Sequence, residues 1–130
     1  MIPEPMDVDV EALSPDELAD ALEVFDASCD YRAAIGLIIE QGSWLRKHEF
    51  RQAVQAWVDR DGQVVALVDW EEVDVDGPAS SGELRILEIA RSLVGIPGNR
   101  SLRDLLNSLD DYNVARVLRA MEATARGWRS

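Results

Sequence analysis

Two apolar segments with helical spacing constrain the fold of this chain most strongly. Residues 31–41 are apolar on almost every side. Residues 83–94 repeat apolar side chains at helical intervals, and their charged residues, Arg85, Glu88 and Arg91, are expected to face outward. The sequence therefore predicts two helices that form the centre of a small domain.

Several helix start signals frame these segments. Ser14, Pro15 and Glu17 combine an N-cap, a proline at the first helical position and a reciprocal capping partner. Gly42 is expected to end the helix over residues 31–41. Other predicted starts carry a serine or aspartate cap: Asp30, Ser80 with Glu83, Ser101 with Asp104, and Asp110 or Asp111.

The middle of the chain is ambiguous between helix and strand. Residues 44–58 favour a helix, because Phe50, Ala53, Val54 and Trp57 follow helical spacing. Residues 64–70 are β-like, and an isolated strand leaves its backbone unpaired. The partner of this strand is the 6–10 arm, the 52–58 segment if that is not helical, or another subunit.

These signals predict a mainly α fold, a compact single-domain helical bundle of about six helices. At most one small β-hairpin or short two-stranded patch is expected, around residues 63–70. The whole chain, residues 1–130, is read as one domain. Its predicted parts are a flexible acidic arm (1–12), an acidic helical half (13–82), a three-helix C-terminal unit (83–126) and a tail (127–130).

Charge is divided unevenly along the chain. Residues 1–82 contain 19 acidic and 5 basic side chains, whereas residues 83–130 contain 6 and 8, for a formal net charge of −12. Such segregation bears on partners and self-docking rather than on catalysis. The acidic face of the first helix is therefore expected to meet a partner, the arginine-bearing C-terminal unit, or that unit in a second copy.

The candidate partner-binding residues follow from this charge pattern. Tryptophan and arginine are enriched at protein interfaces, and acidic stripes complement them. The candidates are Asp16, Asp20 and Glu23 on the first helix, Arg116, Arg119 and Arg126 on the last helix, and Trp128 in the tail.

One acidic loop has the spacing of a calcium-binding loop. Glu72, Asp74, Asp76 and Glu83 occupy template positions, with Gly77 at the turn. Glutamate at the first position and Pro78 after the glycine both depart from the template. We interpret the loop as an acidic turn before a capped helix, and no metal or cofactor is expected.

Catalytic signatures are weak. His48 is the single histidine and has no ligand or triad partner at a defined spacing. Cys29 lies among carboxylates, whose negative charge is unfavourable for a cysteine nucleophile. The chain is therefore expected not to be an enzyme.

The leading functional hypothesis is a small acidic, intracellular, non-enzymatic binding or accessory protein. It acts through protein contacts or self-association. One alternative is a helix-turn-helix-like nucleic-acid-binding regulator that uses residues 83–126, although the charge of the whole chain opposes nucleic acid. A second alternative is an acidic DNA mimic that inhibits a DNA-binding protein.

The expected location is the cytoplasm. The start of the chain lacks the pattern of a signal peptide, and the longest apolar run, over residues 33–39, is too short for a membrane span. Twelve of the thirteen basic residues are arginine, which is typical of a GC-rich bacterium or its phage.

Overall fold

A computed structural model describes residues 6–25 and 28–127. Within these residues the chain forms six α-helices and a three-stranded sheet, which confirms the predicted mainly α fold with about six helices. Short 3-10 turns cover Val10–Ala12, Ser43–Arg46 and Trp70–Glu72. The elements are β1 (Met6–Val8), α1 (Pro15–Val24), α2 (Cys29–Gln41), α3 (His48–Arg51), β2 (Val54–Val58), β3 (Val64–Val68), α4 (Ser81–Leu93), α5 (Leu102–Asn107) and α6 (Asp111–Gly127).

The sheet is antiparallel in the order β1-β2-β3. Met6 pairs with Val58, and Val54 pairs with Val68. The partner of β3 is therefore the 52–58 segment. The 6–10 arm pairs with the other edge of β2, and the sheet has three strands rather than two.

The predicted helix over residues 44–58 is wrong at its C-terminal end. Strand β2 has partners along both edges, so its backbone groups are satisfied in the sheet instead of in a helix. Val54 and Ala56 are buried while Gln55 is exposed, the alternation of a strand with one face on the core. The apparent helical spacing arose because Phe50 belongs to the separate short helix α3.

Helix α2 is the centre of the helical layer. It packs against α1, α4 and α6, and α1 also packs on β3. Leu37 and Ile38 of α2 and Ile86 and Leu87 of α4 are almost fully buried, as the sequence predicted for these two helices. The C-terminal series of α4, α5 and α6 shares this core, because α4 and α6 both pack on α2.

The helix caps agree with the sequence at all but one position. Both Ser14 and Ser80 form complete capping boxes, and Asp110 accepts a hydrogen bond from the Asn113 N–H at 2.8 Å. Helix α2 is capped by Ser28 instead of Asp30, because the helix begins at Cys29. The Ser28 hydroxyl oxygen accepts from the third backbone N–H of that helix at 3.1 Å.

The exposure of the charged residues on α4 was predicted wrongly. Arg85 and Glu88 are buried, and Arg91 is half-buried with its Nε donating to the Trp70 carbonyl at 3.0 Å. The segment after α4 folds back along the helix, and Arg100 donates to Glu88 Oε1 at 3.2 Å. A single helix with a polar stripe cannot reveal that a later loop covers the stripe.

Candidate protein-binding groove

A groove of about 410 Å³ lies between α2 and α6. Small residues on both helices allow the backbones to approach there. A Cβ atom on Gly127 would lie 2.6 Å from Cβ and Sγ of Cys29, so the helices approach each other closely at this end. A Cβ atom on Gly36 would meet nothing within 4 Å, so the groove is open at the middle of α2. The volume is in the range of ligand sites.

The floor of the groove is apolar, and its rim is charged. Ala33, Leu37 and Ala120 form the floor and are at most 7% exposed. The charged lining residues are three arginines and one glutamate: Arg32, Arg116, Arg119 and Glu40. On a chain whose formal net charge is −12, this is a local reversal of sign.

Two of the rim arginines are oriented by their neighbours. Arg119 Nη2 donates to Glu40 Oε2 at 3.0 Å and so joins α6 to α2 across the rim. Arg116 Nη1 donates to Asn113 Oδ1 at 2.8 Å on its own helix. Held guanidinium groups lose less side-chain entropy when they bind a carboxylate, and their planar forks favour bidentate pairing.

The structure separates the predicted partner-binding residues into two sets. Arg116 and Arg119 line the groove, whereas Arg126 is exposed and pairs with Glu122 at 2.5 Å. Trp128 lies outside the described residues. On α1, the three predicted acids are exposed: Asp16, Asp20 and Glu23.

The acidic set and the arginine set do not meet within one molecule. Across residues 6–25 and 28–127, no ion pair joins the α1 acids to the α6 arginines. Helix α1 packs on β3, whereas α6 packs on α2 and α4. Docking of the acidic face of α1 on the arginines of α6 is therefore not present in this part of the chain.

Sequence reasoning missed the contribution of α2 to the groove. Arg32, Gly36 and Glu40 recur every four residues and therefore share one face of the helix. This stripe of polar residues and glycine, within an otherwise apolar helix, could have been recognised in the sequence as a distinct face of α2. Its pairing with α6 depends on the tertiary fold.

The calcium-loop spacing does not bring its carboxylates together. Glu83 accepts hydrogen bonds from Ser43 and Ser80, and Asp76 pairs with Arg100 at 3.3 Å. Asp74 Oδ1 accepts from the Asp76 N–H in a local turn. In the described part of the chain, no group of three or more His, Cys, Asp or Glu side chains is arranged to hold a metal ion.

The shifted pKa values belong to groups with structural partners. The Ser14 N–H and hydroxyl lower the pKa of Glu17 within the capping box of α1. Burial raises the pKa of Tyr31, although its oxygen accepts from the Val68 N–H at 3.0 Å. A hydrogen bond from Ser43 is the largest cause that lowers the pKa of Glu83 to about 2. None of these three residues lines the groove.

The single histidine, His48, is exposed and does not line the groove. Its Nδ1 lies 2.6 Å from Glu11 Oε1, and its Nε2 lies 2.9 Å from Gln52 Nε2. Cys29, the first residue of α2, lines the groove, and its thiol donates a hydrogen bond to Asp30 Oδ1 at 3.7 Å. The thiol and the imidazole therefore belong to different parts of the surface.

No family model, curated protein or solved structure matches this chain. Each helix formed by residues 6–25 and 28–127 is too short or too polar to cross a lipid bilayer.

Proposed function

We propose that this protein is a non-enzymatic binding protein whose α2–α6 groove receives an acidic, partly apolar segment of a protein partner. The observation that carries the proposal is the arginine rim above an apolar floor on a strongly acidic chain. An apolar side chain of the partner lies over Gly36, and its carboxylates pair with Arg116 and Arg119.

The electrostatics of the groove favour a short acidic segment over a large acidic surface. Charges farther apart than about 8 Å are largely screened at physiological ionic strength. A short segment therefore interacts mainly with the arginines at the rim, whereas a broad acidic surface would also approach the exposed acids elsewhere on the chain. The volume of about 410 Å³ admits a few side chains rather than a domain.

The chemistry of the lining supports binding rather than catalysis. Its side chains are arginine, glutamate, leucine and small residues, with Cys29 as the one nucleophile among them. An activated cysteine needs an adjacent base, and the neighbour here is the Asp30 carboxylate. The cytoplasmic location and the bacterial or phage origin remain predictions from the sequence.

Selection of random peptides on the immobilised full chain tests this proposal. The expected result is enrichment of sequences that combine Asp or Glu with an apolar side chain. Binding of a selected peptide should weaken at least tenfold, about 1.4 kcal/mol, when Arg116 and Arg119 are both changed to Gln. The matched control, Arg60→Gln, removes an exposed arginine outside the groove and should leave binding unchanged.

A second variant tests the position of the bound segment. Gly36→Leu places a side chain in the groove, and the open space at this residue means that the free protein accommodates it. Peptide binding should be lost while thermal stability is retained. Enrichment of neutral or basic peptides, or full binding by Gly36→Leu, would refute the proposed site.

A further inference from the structure

Exposed apolar side chains concentrate on the last two helices. Of the large apolar residues that are exposed in the described ranges, Leu102, Tyr112, Leu118 and Met121 lie on α5 and α6, and Met6 alone lies elsewhere. Leu118 is 57% exposed in the middle of a helix, where a solvent-facing position usually carries a polar residue. The groove does not account for these exposed apolar side chains on the outer side of α6.

The exposed residues on α6 form one stripe. Val114, Leu118, Met121 and Ala125 follow one another at intervals of four, three and four residues. This is the seam spacing of two helices that pack side by side. Val114 is half-buried and the other three are exposed, so the seam is open to an additional helix.

The seam and the groove are different surfaces. At 3.6 residues per turn, the seam lies about 180° around the helix axis from the groove residues Arg116, Ala120 and Ala123. The buried residues of α6 face its neighbours within the molecule, and they are Val117, Ala120 and Thr124. A helix docked on the seam would leave the groove accessible.

The charges of α6 complement those of an antiparallel second copy. Asp110 and Asp111 lie at the start of the helix, and Arg126 lies at its end. With Leu118 beside the second copy's Met121, and Val114 beside its Ala125, Asp111 and the second copy's Arg126 are offset by about 3 Å along the axis. The two-fold arrangement repeats this pairing at both ends.

The local charge balance also favours a second copy as the occupant. Residues 102–127 contain four basic and four acidic side chains, whereas residues 1–82 have a net charge of −14. A contact between identical chains requires a face that does not repel itself, and this region meets that requirement. The strongly acidic residues lie mainly in 1–82, outside α5 and α6.

We infer that the seam formed by Val114, Leu118, Met121 and Ala125 pairs antiparallel with the same seam of a second copy. Sedimentation velocity of the full chain across a concentration series tests this. A species with twice the 14.5 kDa mass is expected for the unmodified protein. Leu118→Glu should raise the dimer dissociation constant at least tenfold, because it places a charge in the centre of the contact.

A charge exchange distinguishes this pairing from nonspecific apolar association. Asp111→Arg and Arg126→Asp should each weaken the dimer, since each places like charges across the contact. The double variant should restore it. The inference is overturned if the protein stays monomeric at all concentrations, which would leave the seam to another partner. It is also overturned if the dimer forms equally well with Leu118→Glu. Gly36→Leu should leave the dimer intact, so failure of the groove proposal is seen separately.

Discussion

The Ser43 hydroxyl donates a 2.6 Å hydrogen bond to Oε2 of Glu83, a residue forty positions later in the chain. Oε1 of the same carboxylate accepts from the Ser80 N–H at 3.2 Å, and Lys47 Nζ lies 3.4 Å from Oε2. Trp44 Nε1 donates to the Glu83 carbonyl at 3.0 Å. One residue therefore caps α4 and fixes the Ser43–Arg46 turn against that helix.

This arrangement predicts an acid-sensitive contribution to stability. The hydrogen bond from Ser43, together with those from Ser80 and the charge of Lys47, lowers the pKa of Glu83 from 4.5 to about 2 in the folded protein. Because the folded pKa is lower, the contribution is complete above pH 4.5 and is lost as the pH falls through 2. Glu83→Gln should lower the free energy of unfolding at pH 7 by about 1–2 kcal/mol, after a reduction for solvent screening.

Urea unfolding of the unmodified protein and of Glu83→Gln, from neutral pH down to pH 2, measures the difference between their free energies of unfolding. This difference should become smaller as the pH falls below 4.5. The control, Glu49→Gln, changes an exposed glutamate of α3 and should follow the unmodified protein. A gap that stays constant with pH would show that the Glu83 charge contributes nothing.

The caps and the sheet show where sequence information was sufficient. Ser14 and Ser80 were predictable because a capping box joins residues only three positions apart. The bond between Ser43 and Glu83 was not predictable, since it depends on how distant elements pack. Strand β2 was missed for the same reason, because its pairing with β1 and β3 decides its conformation.

The groove was predicted only in part. Arg116 and Arg119 were selected from the excess of arginine near the C-terminus, and both line the groove. Helix α2 was correctly expected to be buried, but its polar stripe was not connected with α6. A stripe on one helix specifies a face, and only the fold specifies which helix covers it.

Substitution of the buried side chain of Arg51 should cause a large loss of stability. It is 6% exposed, and its Nε donates to the Leu45 carbonyl at 2.8 Å. Its Nη1 donates to the carbonyls of Val10 and Leu13, both at 2.8 Å. Arg51→Met retains the apolar stem but removes all three hydrogen bonds, including the buried one to the Leu45 carbonyl, so the free energy of unfolding should fall by about 2–3 kcal/mol.

Chemical denaturation of Arg51→Met, with Arg60→Met as the matched variant, checks this prediction. Arg60 is exposed in the turn between β2 and β3, and its substitution should change stability by less than about 0.5 kcal/mol. Equal stability of the two variants would mean that the three carbonyl contacts are energetically neutral.

The contributions of Glu88 and Arg100 to the free energy of unfolding should be strongly coupled. The glutamate is 2% exposed, and Arg100 Nη1 lies 3.2 Å from Oε1. Oε2 has no hydrogen-bond partner in the described residues. Arg100→Ala leaves a buried carboxylate unpaired and should cost about 2–4 kcal/mol, whereas the same change should cost much less when Glu88 is already Gln.

A double-mutant cycle on the free energy of unfolding measures this coupling. Asp76 also contacts Arg100, at 3.3 Å, so Asp76→Asn in the unmodified background serves as the control for the exposed half of the network. That variant should change stability by less than about 1 kcal/mol. Additive effects of the Arg100 and Glu88 changes would contradict the prediction.

Substitution by alanine should have opposite effects on stability at Gly36 and at Gly127. Gly36→Ala introduces a Cβ atom into open space within a helix, which should raise the free energy of unfolding by about 0.5–1 kcal/mol. Gly127→Ala places its Cβ atom 2.6 Å from Cβ and Sγ of Cys29, so α6 must move away from α2 and stability should fall.

Thermal unfolding of the two alanine variants shows the sign of each effect, and a third variant identifies the cause at Gly127. Cys29→Gly removes both atoms that the new Cβ would meet, so Gly127→Ala should cost little in that background. Because Cys29 occupies the first turn of α2, glycine there disrupts the helix less than glycine in its interior would. An unchanged cost in the Cys29→Gly background would show that the destabilisation has an origin other than the contact between Gly127 and Cys29.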